Sequence, residues 1–264
     1  MKRKHIIVLF FLASLLIASC TKMDKLFNNG EPVTEYRSLG YPFKVISIHN
    51  NVNVKLIRDN HPHLELTCPK NLIERITTEI EADTLVIKNK NEYNWLRSYD
   101  YDIDLTIYYD SINRIQFASI GQLTSLDSIN GIRTKNLDSI TIDNDTVYSY
   151  PKTFVLNIKE GSGDIDLTFD CQVLKTVFSN GTSKVTLHGV VGYVEHYMRS
   201  YGTIHAENLN TNIVKVHSQS TNDIYVWARN ELEAHLNSIG NVYYKGNPWI
   251  VQECTGEGHV IKLE

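Results

Sequence analysis

Cysteine is scarce in this 264-residue chain: only positions 20, 68, 171 and 254 carry it, and no two stand in the CxxC spacing of a zinc or redox site. That excludes a disulfide scaffold and a thiolate metal centre. Past the amino terminus no apolar run approaches the roughly 20 residues a membrane-spanning helix needs. Basic runs are missing too, with 26 Lys and Arg against 30 Asp and Glu. This balance argues against nucleic-acid partners and against electrostatic attachment to anionic lipid. Helical periodicity is confined to residues 71–76, which read as one or two helical turns.

What the chain does contain is a block that recurs about every 20 residues through its second half, a short polar turn followed by a strand of alternating apolar residues. It runs Gly161-Ser162-Gly163-Asp164-Ile165, Gly181-Thr182-Ser183-Lys184-Val185, Ser200-Tyr201-Gly202-Thr203-Ile204, Ser220-Thr221-Asn222-Asp223-Ile224, Ser238-Ile239-Gly240-Asn241-Val242 and Gly256-Glu257-Gly258-His259-Val260. The closing apolar residues are 20, 19, 20, 18 and 18 positions apart. One such unit cannot bury its apolar face alone and needs stacked neighbours. The expected fold is therefore all-β and solenoid-like, a right-handed β-helix or another stacked β-repeat body with coils of about 20 residues. Because strand side chains alternate, Leu167, Leu187, Ala206, Val226, Tyr244 and Lys262 should point inward, and Asp166, Thr186, His205, Tyr225, Tyr243 and Ile261 outward.

The amino terminus reads as an address. Lys2, Arg3 and Lys4 precede an apolar run over residues 6–17 that is too short to span a bilayer, and Ile17-Ala18-Ser19-Cys20 closes it with small residues. The stretch Leu16-Ile17-Ala18-Ser19-Cys20 resembles a bacterial lipobox. The resemblance implies cleavage after residue 19 and acylation of Cys20, so that acyl chains tie the protein to the membrane; the alternative is an ordinary secretory signal with an incidental cysteine. Residues 20–40 then form the acylated cysteine and its tether, rich in polar residues with Gly30 and Pro32. Loss of residues 1–19 leaves 23 basic residues against 30 acids, a net charge of −7. Cys68, Cys171 and Cys254 allow at most one disulfide, and three buried free thiols are expected, since a body this size needs no staples.

Residues 41–264 read as one all-β domain, less regular over 41–118 and repeated over 119–264. Short alternating strands are expected at 43–48, 52–57, 64–68, 84–87, 103–109 and 112–117. The turn Gly161-Ser162-Gly163-Asp164-Ile165 with its degenerate copies, the segment Tyr244-Lys245-Gly246-Asn247-Pro248, the opening Phe43-Lys44-Val45-Ile46-Ser47-Ile48, and Asn71-Leu72 with Leu85-Val86-Ile87 together resemble the bacterial head GIN domain family of auto-transporter adhesins. The likeness covers residues 40–264. It implies a β-solenoid-like domain exposed in the cell envelope, at the outer membrane if Cys20 is acylated, and it brings no catalytic residues. Tyr201, Thr221 and Ile239 depart from it, in turns where the family favours Gly or Ser.

Several side chains carry candidate chemistry. His196, His217, His235 and Glu253 fall on successive coils, close enough for a metal or an acid and base pair, although His196 is out of register. Five positions before the third residue of each turn (Gly163, Ser183, Gly202, Asn222, Gly240, Gly258) the column reads Ile158, Phe178, Tyr197, His217, His235, Glu253. Asp164, Asp166 and Asp170 are reminiscent of carboxylates that bind calcium in β-helical polysaccharide lyases, but the aligned copies supply Lys184 and Thr186. No metal, cofactor or catalytic residue is therefore expected. Residues 93–101 differ in kind: Tyr93, Trp95, Tyr99 and Tyr101 stand among Asn, Arg and Asp, giving flat apolar faces with polar edges that suit a sugar ring or a protein partner. The bland alternative is that these rings fold back over an open end of the body. Phe178, Tyr197 and Tyr225 could extend such an aromatic surface. Five Asp-Ser/Thr-apolar triplets, beginning at Asp83, Asp110, Asp127, Asp138 and Asp145, resemble acceptors of bacterial O-glycosylation, although a turn Asp before a strand gives the same triplet. The sequence thus favours a lipid-anchored, non-catalytic binding surface for a glycan or an envelope protein. A carbohydrate-active enzyme and a passive scaffold subunit are the alternatives.

Overall fold

The computed structural model describes residues 28–92, 101–129, 139–142, 145–148 and 153–263. The chain is all-β, and the described residues contain no α-helix. Its first half carries β1 (Pro32–Ser38), β2 (Val45–Asn50), β3 (Asn53–Arg58), β4 (His63–Pro69), β5 (Ile76–Glu81), β6 (Thr84–Asn89), β7 (Asp104–Tyr109), β8 (Arg114–Ser119) and β9 (Leu123–Ser125). A separate hairpin pairs β10 (Ser139–Ile142) with β11 (Asp145–Tyr148). The repeated half carries β12 (Phe154–Gly161), β13 (Ile165–Phe178), β14 (Lys184–Met198), β15 (Thr203–Ser218), β16 (Ile224–Leu236), β17 (Val242–Lys245), β18 (Trp249–Cys254) and β19 (Val260–Lys262). Within residues 71–76 a single 3-10 turn forms at Ile73–Arg75. It stops there because Ile76 is already drawn into β5, paired with Asn89 of β6.

All strands but the hairpin belong to one curled sheet that encloses one apolar core. Its strands form two rows. In the first, β6, β2, β8, β12 and the second halves of β13 to β16 lie side by side in parallel and end at β18. In the second, β7, β3, β9 and the first halves of β13 to β16 do the same and end at β17 and β19. Each layer gives one strand to each row. Leu123, Ile165, Val185, Ile204, Ile224 and Val242 pair in a single column, and all are at most 1% exposed. Their burial follows directly from the period of the sequence. Leu167, Leu187, Ala206 and Val226 point inward as their alternation requires, while Lys262 at the end of the stack is exposed.

The turn between the rows explains which residues the repeat tolerates. Its first position holds Ser119, Gly161, Gly181, Ser200, Ser220, Ser238 and Gly256 in successive layers. There the carbonyl of the preceding layer points into the corner: a Cβ on Gly161 would lie 2.1 Å from Ser119 O and one on Gly181 2.2 Å from Gly161 O. At three of the four serines the hydroxyl donates to that same carbonyl: Ser119 to Asn50, Ser200 to Gly181 at 2.5 Å and Ser220 to Ser200 at 2.6 Å. Glycine makes room for the oxygen; serine bonds it. The middle position is the outer tip of the turn, so Tyr201 and Ile239, 67% and 54% exposed, meet no constraint. Small residues flank the tip instead, Ser200 and Gly202 around Tyr201 and Ser238 and Gly240 around Ile239.

The two ends of the stack differ. At one end β4 runs antiparallel to β7, β1 in turn runs antiparallel to β4, and β5 closes β6. Arg37 of β1 donates to the carbonyls of Ile73 and Ile76, tying the two closures together. At the other end β18 and β19 are edge strands, with Trp249 75% exposed. This geometry corrects the expectation of three buried thiols: Cys68 and Cys171 are buried, but Cys254 lies on the last strand and is exposed. Burial also pushes the Cys68 thiol up to about 11. Titration of these three thiols with an aromatic disulfide in the native protein should therefore modify Cys254 rapidly and leave Cys68 and Cys171 until denaturant is added. Fast modification of two or three thiols would contradict this packing.

Candidate functional site

The outer side of the first row carries two neighbouring columns of polar side chains. One is Lys175, Glu195, Lys215 and Glu233, alternating in charge from layer to layer. Lys175 lies 3.4 Å from Glu195, and Lys215 lies 2.6 Å from Glu233. The adjacent column is Tyr197, His217, His235 and Glu253. Its rings stack, Tyr197 on His217 at 4.7 Å and His217 on His235 at 5.0 Å, both nearly parallel. Strand spacing of about 4.8 Å imposes this distance, because equivalent side chains on adjacent parallel strands sit one strand apart.

The two columns are wired together. The Tyr197 hydroxyl donates to Glu195, and that bond, with burial, pushes the phenol up to about 12. His235 places Nε2 2.9 Å from Glu233 and Nδ1 3.1 Å from Glu253, so a carboxylate receives each ring N–H of its imidazolium. The bond to Glu233 is the main reason its basicity is raised. His217 is lowered instead, chiefly by burial and then by the neighbouring His235. The two stacked rings are thus shifted in opposite directions. Partly exposed pairs of this kind contribute at most about 1 kcal/mol each, so they shape the surface more than they hold the fold.

The second row has its own ladder, with His205 on Tyr225 at 4.8 Å and Tyr225 on Tyr243 at 5.0 Å. Beside it His188 Nε2 lies 3.1 Å from Asp166, and Lys245 sits 4.4 Å over the Trp227 ring. Two shallow recesses open on the surface. One, of about 440 Å³, is lined by Thr153, Val173, Lys175, Tyr193, Glu195 and Lys215. The other, of about 240 Å³, lies across β7, β3 and β9 and is lined among others by Asn53, Lys55, Asp104, Thr106, Gln122 and Thr124.

The residues singled out from sequence divide as follows. His217, His235 and Glu253 come together, whereas His196 points into the core, fully buried, with Nδ1 2.7 Å from the Thr176 hydroxyl. Among the described residues no group of three His, Cys, Asp or Glu could hold a metal ion. The column that places Ile158 and Phe178 beside Tyr197 is one residue out. Ile158 and Phe178 pair with each other, and Phe178 with Met198, because the first two turns have one more residue than later ones before the corner. Phe178 is therefore core and adds nothing to an aromatic surface. Tyr197 and Tyr225 do lie outside, but their ring faces are occupied, Tyr225 by His205 and Tyr243, Tyr197 by His217 and by the Lys175 ammonium 4.3 Å from its centroid, so mainly their edges meet solvent. Tyr101 is half-buried and packs against the core. Cys20, Tyr93, Trp95 and Tyr99 lie outside the described residues. Of the five Asp-Ser/Thr triplets, those at Asp83, Asp110 and Asp127 show an exposed Asp before a half-buried Ser or Thr and a buried apolar residue. Missed from sequence were the Lys-Glu column, readable two residues before the His column, and the recess around Asn53, which needs strands far apart in the chain.

A curled sheet with an apolar interior, stacked repeats and side-chain ladders outside defines a repeat-built all-β protein. The chain belongs to the family described as "Putative auto-transporter adhesin, head GIN domain", whose model matches residues 42–248. Among solved structures it is similar to a putative adhesin of Bacteroides fragilis, with a TM-score of 0.72 at 20% identity over 90% of this chain and 100% of that one. A putative adhesin of Parabacteroides merdae gives a TM-score of 0.63 at 16% identity, over 90% of this chain and 98% of that one. A protein of Parabacteroides distasonis described as a putative lipid binding protein gives 0.60 at 17% identity, over 90% and 99%. At these identities the likeness speaks to fold alone. Among proteins with curated descriptions, none matches the chain.

Proposed function

We propose that the protein is a lipid-anchored component of the bacterial cell envelope, held at the outer membrane through acyl chains on Cys20, whose β-solenoid body offers a non-catalytic binding surface to a glycan or an envelope protein. The observation that supports this best is the outer face itself. Its histidines and carboxylates are committed to one another in ladders, His235 between Glu233 and Glu253 above all. A rigid stack of such layers suits repeated weak contacts along an extended partner. Family membership agrees with an envelope-exposed role. Contact falls to the aromatic residues Tyr93, Trp95, Tyr99 and Tyr101, since the ladder rings have spent their faces.

The test is a screen of the full chain in detergent against a panel of polysaccharides, read for retention and for new reducing or unsaturated ends. Retention without cleavage, reduced at least tenfold by Trp95→Ala with Tyr99→Ala, is expected. Cleavage would overturn the non-catalytic reading, and absence of any retention would turn the search to protein partners.

A further inference from the structure

The recess across β7, β3 and β9 has the composition of a sugar subsite. We propose that Asn53, Lys55, Asp104, Thr106, Gln122 and Thr124 bind one residue of a neutral polysaccharide chain, an assignment that rests on the binding role proposed above and names its ligand class. The floor is pre-organised. The Asn53 side chain donates to Asp104 Oδ1 at 3.0 Å and accepts from the Gln122 backbone N–H at 3.0 Å, while the Asn53 N–H donates to Ile103 O at 2.8 Å. Three strands from distant parts of the sequence are thereby locked in one register, which removes much of the ordering cost of binding.

Above this floor stand groups without a partner among the described residues: the Lys55 ammonium, the hydroxyls of Thr106 and Thr124, and the side-chain amide of Gln122. Donors and acceptors are interleaved within one recess. Vicinal sugar hydroxyls both donate and accept, so they satisfy such a mixture, whereas an acyl chain would leave every one of these groups unpaired. A polyanion would meet Asp104 and a body of net acidic charge. The volume of about 240 Å³ is below the roughly 300–1,000 Å³ of sites that enclose whole small ligands. A recess this small and open therefore takes one unit of a longer chain. Asp104 also stands three residues after Tyr101, the last member of the aromatic segment, and Tyr101 itself is anchored against the core.

Lys55→Ala and Thr106→Val test the assignment, because neither side chain takes part in the fold's hydrogen bonds or ion pairs among the described residues. In the full chain, retention on a neutral polysaccharide identified by the screen should fall at least tenfold in the double variant. The thermal midpoint should stay unchanged, and wild-type retention should vary little between low and high salt. Loss of retention in the Trp95 and Tyr99 variants with full retention in the Lys55 and Thr106 variant would overturn this subsite while leaving the binding role intact. Retention only on polyanions, collapsing with salt, would overturn the neutral-sugar assignment. Wild-type protein retained on no polysaccharide would overturn this subsite and leave only a protein partner for the binding role.

Discussion

Alanine at position 161 should destabilise the protein by about 3–5 kcal/mol, far more than any change at the neighbouring turn tip. Two costs add. Gly161 has φ of +127°, a conformation worth about 1–3 kcal/mol of strain to a residue with a side chain. The new Cβ would also stand 2.1 Å from Ser119 O and 3.1 Å from Ser119 N, and both are backbone atoms of the adjoining layer. A side chain could rotate away, but a layer hydrogen-bonded on both sides must move as a unit, and overpacking of this kind costs a further 1–3 kcal/mol. For a body this size, each kcal/mol lowers the melting temperature by roughly 2–4 °C. A drop of roughly 10 °C in thermal circular dichroism is therefore expected for Gly161→Ala. Ser162→Ala, one residue on and exposed, should change it by about a degree. If both variants melt together, the carbonyl of the preceding layer does not occupy the corner.

Acid should weaken the fold through a single buried histidine. His196 is fully buried, and desolvation drops its imidazole to about 4. In the unfolded chain it titrates near 6.5, so between these values the unfolded state binds the proton and the folded state does not. Stability is whole above pH 6.5 and declines as pH falls toward 4, by about 3 kcal/mol at the lower limit. Urea midpoints at pH 7 and pH 4.5 would measure it, taking the difference between the native protein and a Thr176→Val, His196→Leu double variant so that the titration of surface carboxylates cancels. The double variant should be close to neutral at pH 7, because it removes both partners of a buried hydrogen bond together and with them a ring nitrogen, Nε2, that has no partner. Thr176→Val alone should cost about 1–3 kcal/mol, since it strands Nδ1 as well. Equal pH dependence of native and double variant would show that His196 is not the buried group.

The repeated half was legible because each turn places a small residue against the same carbonyl, which stamps the period directly on the sequence. Ile165, Val185, Ile204, Ile224 and Val242 could be assigned to one buried column from spacing alone, and their pairing agrees. The register slipped where turn length changed: Phe178 is followed by Ser179-Asn180-Gly181, whereas Met198 reaches Ser200 after one residue. Counting back from the turn therefore moves an inward ring to the outer side. The order of layers in the first half was not legible. Val54 pairs with both Leu105 and Leu123, but nothing in its alternating strand says which neighbours it will meet. The Asn53 recess follows from that pairing and stayed hidden with it. The exposure of Cys254 likewise depends on which layer is last, and a cysteine reads the same in a middle layer as at an end.

The order of layers also sets how the chain can be assembled as it emerges. From β12 onward each layer rests on the one made just before it, as with Ser220 on Ser200, 20 residues apart. Loops this short close cheaply, and contacts of low sequence separation form fast. The strands β2 and β3, however, lie between β6–β7 on one side and β8–β9 on the other, and Asn50 waits for Ser119, 69 residues later. A chain threaded across a membrane from its amino end would therefore hold its first strands unsatisfied until residue 125 had passed. Only then could the first three layers close together and give β12 a finished surface on which the rest adds one layer at a time.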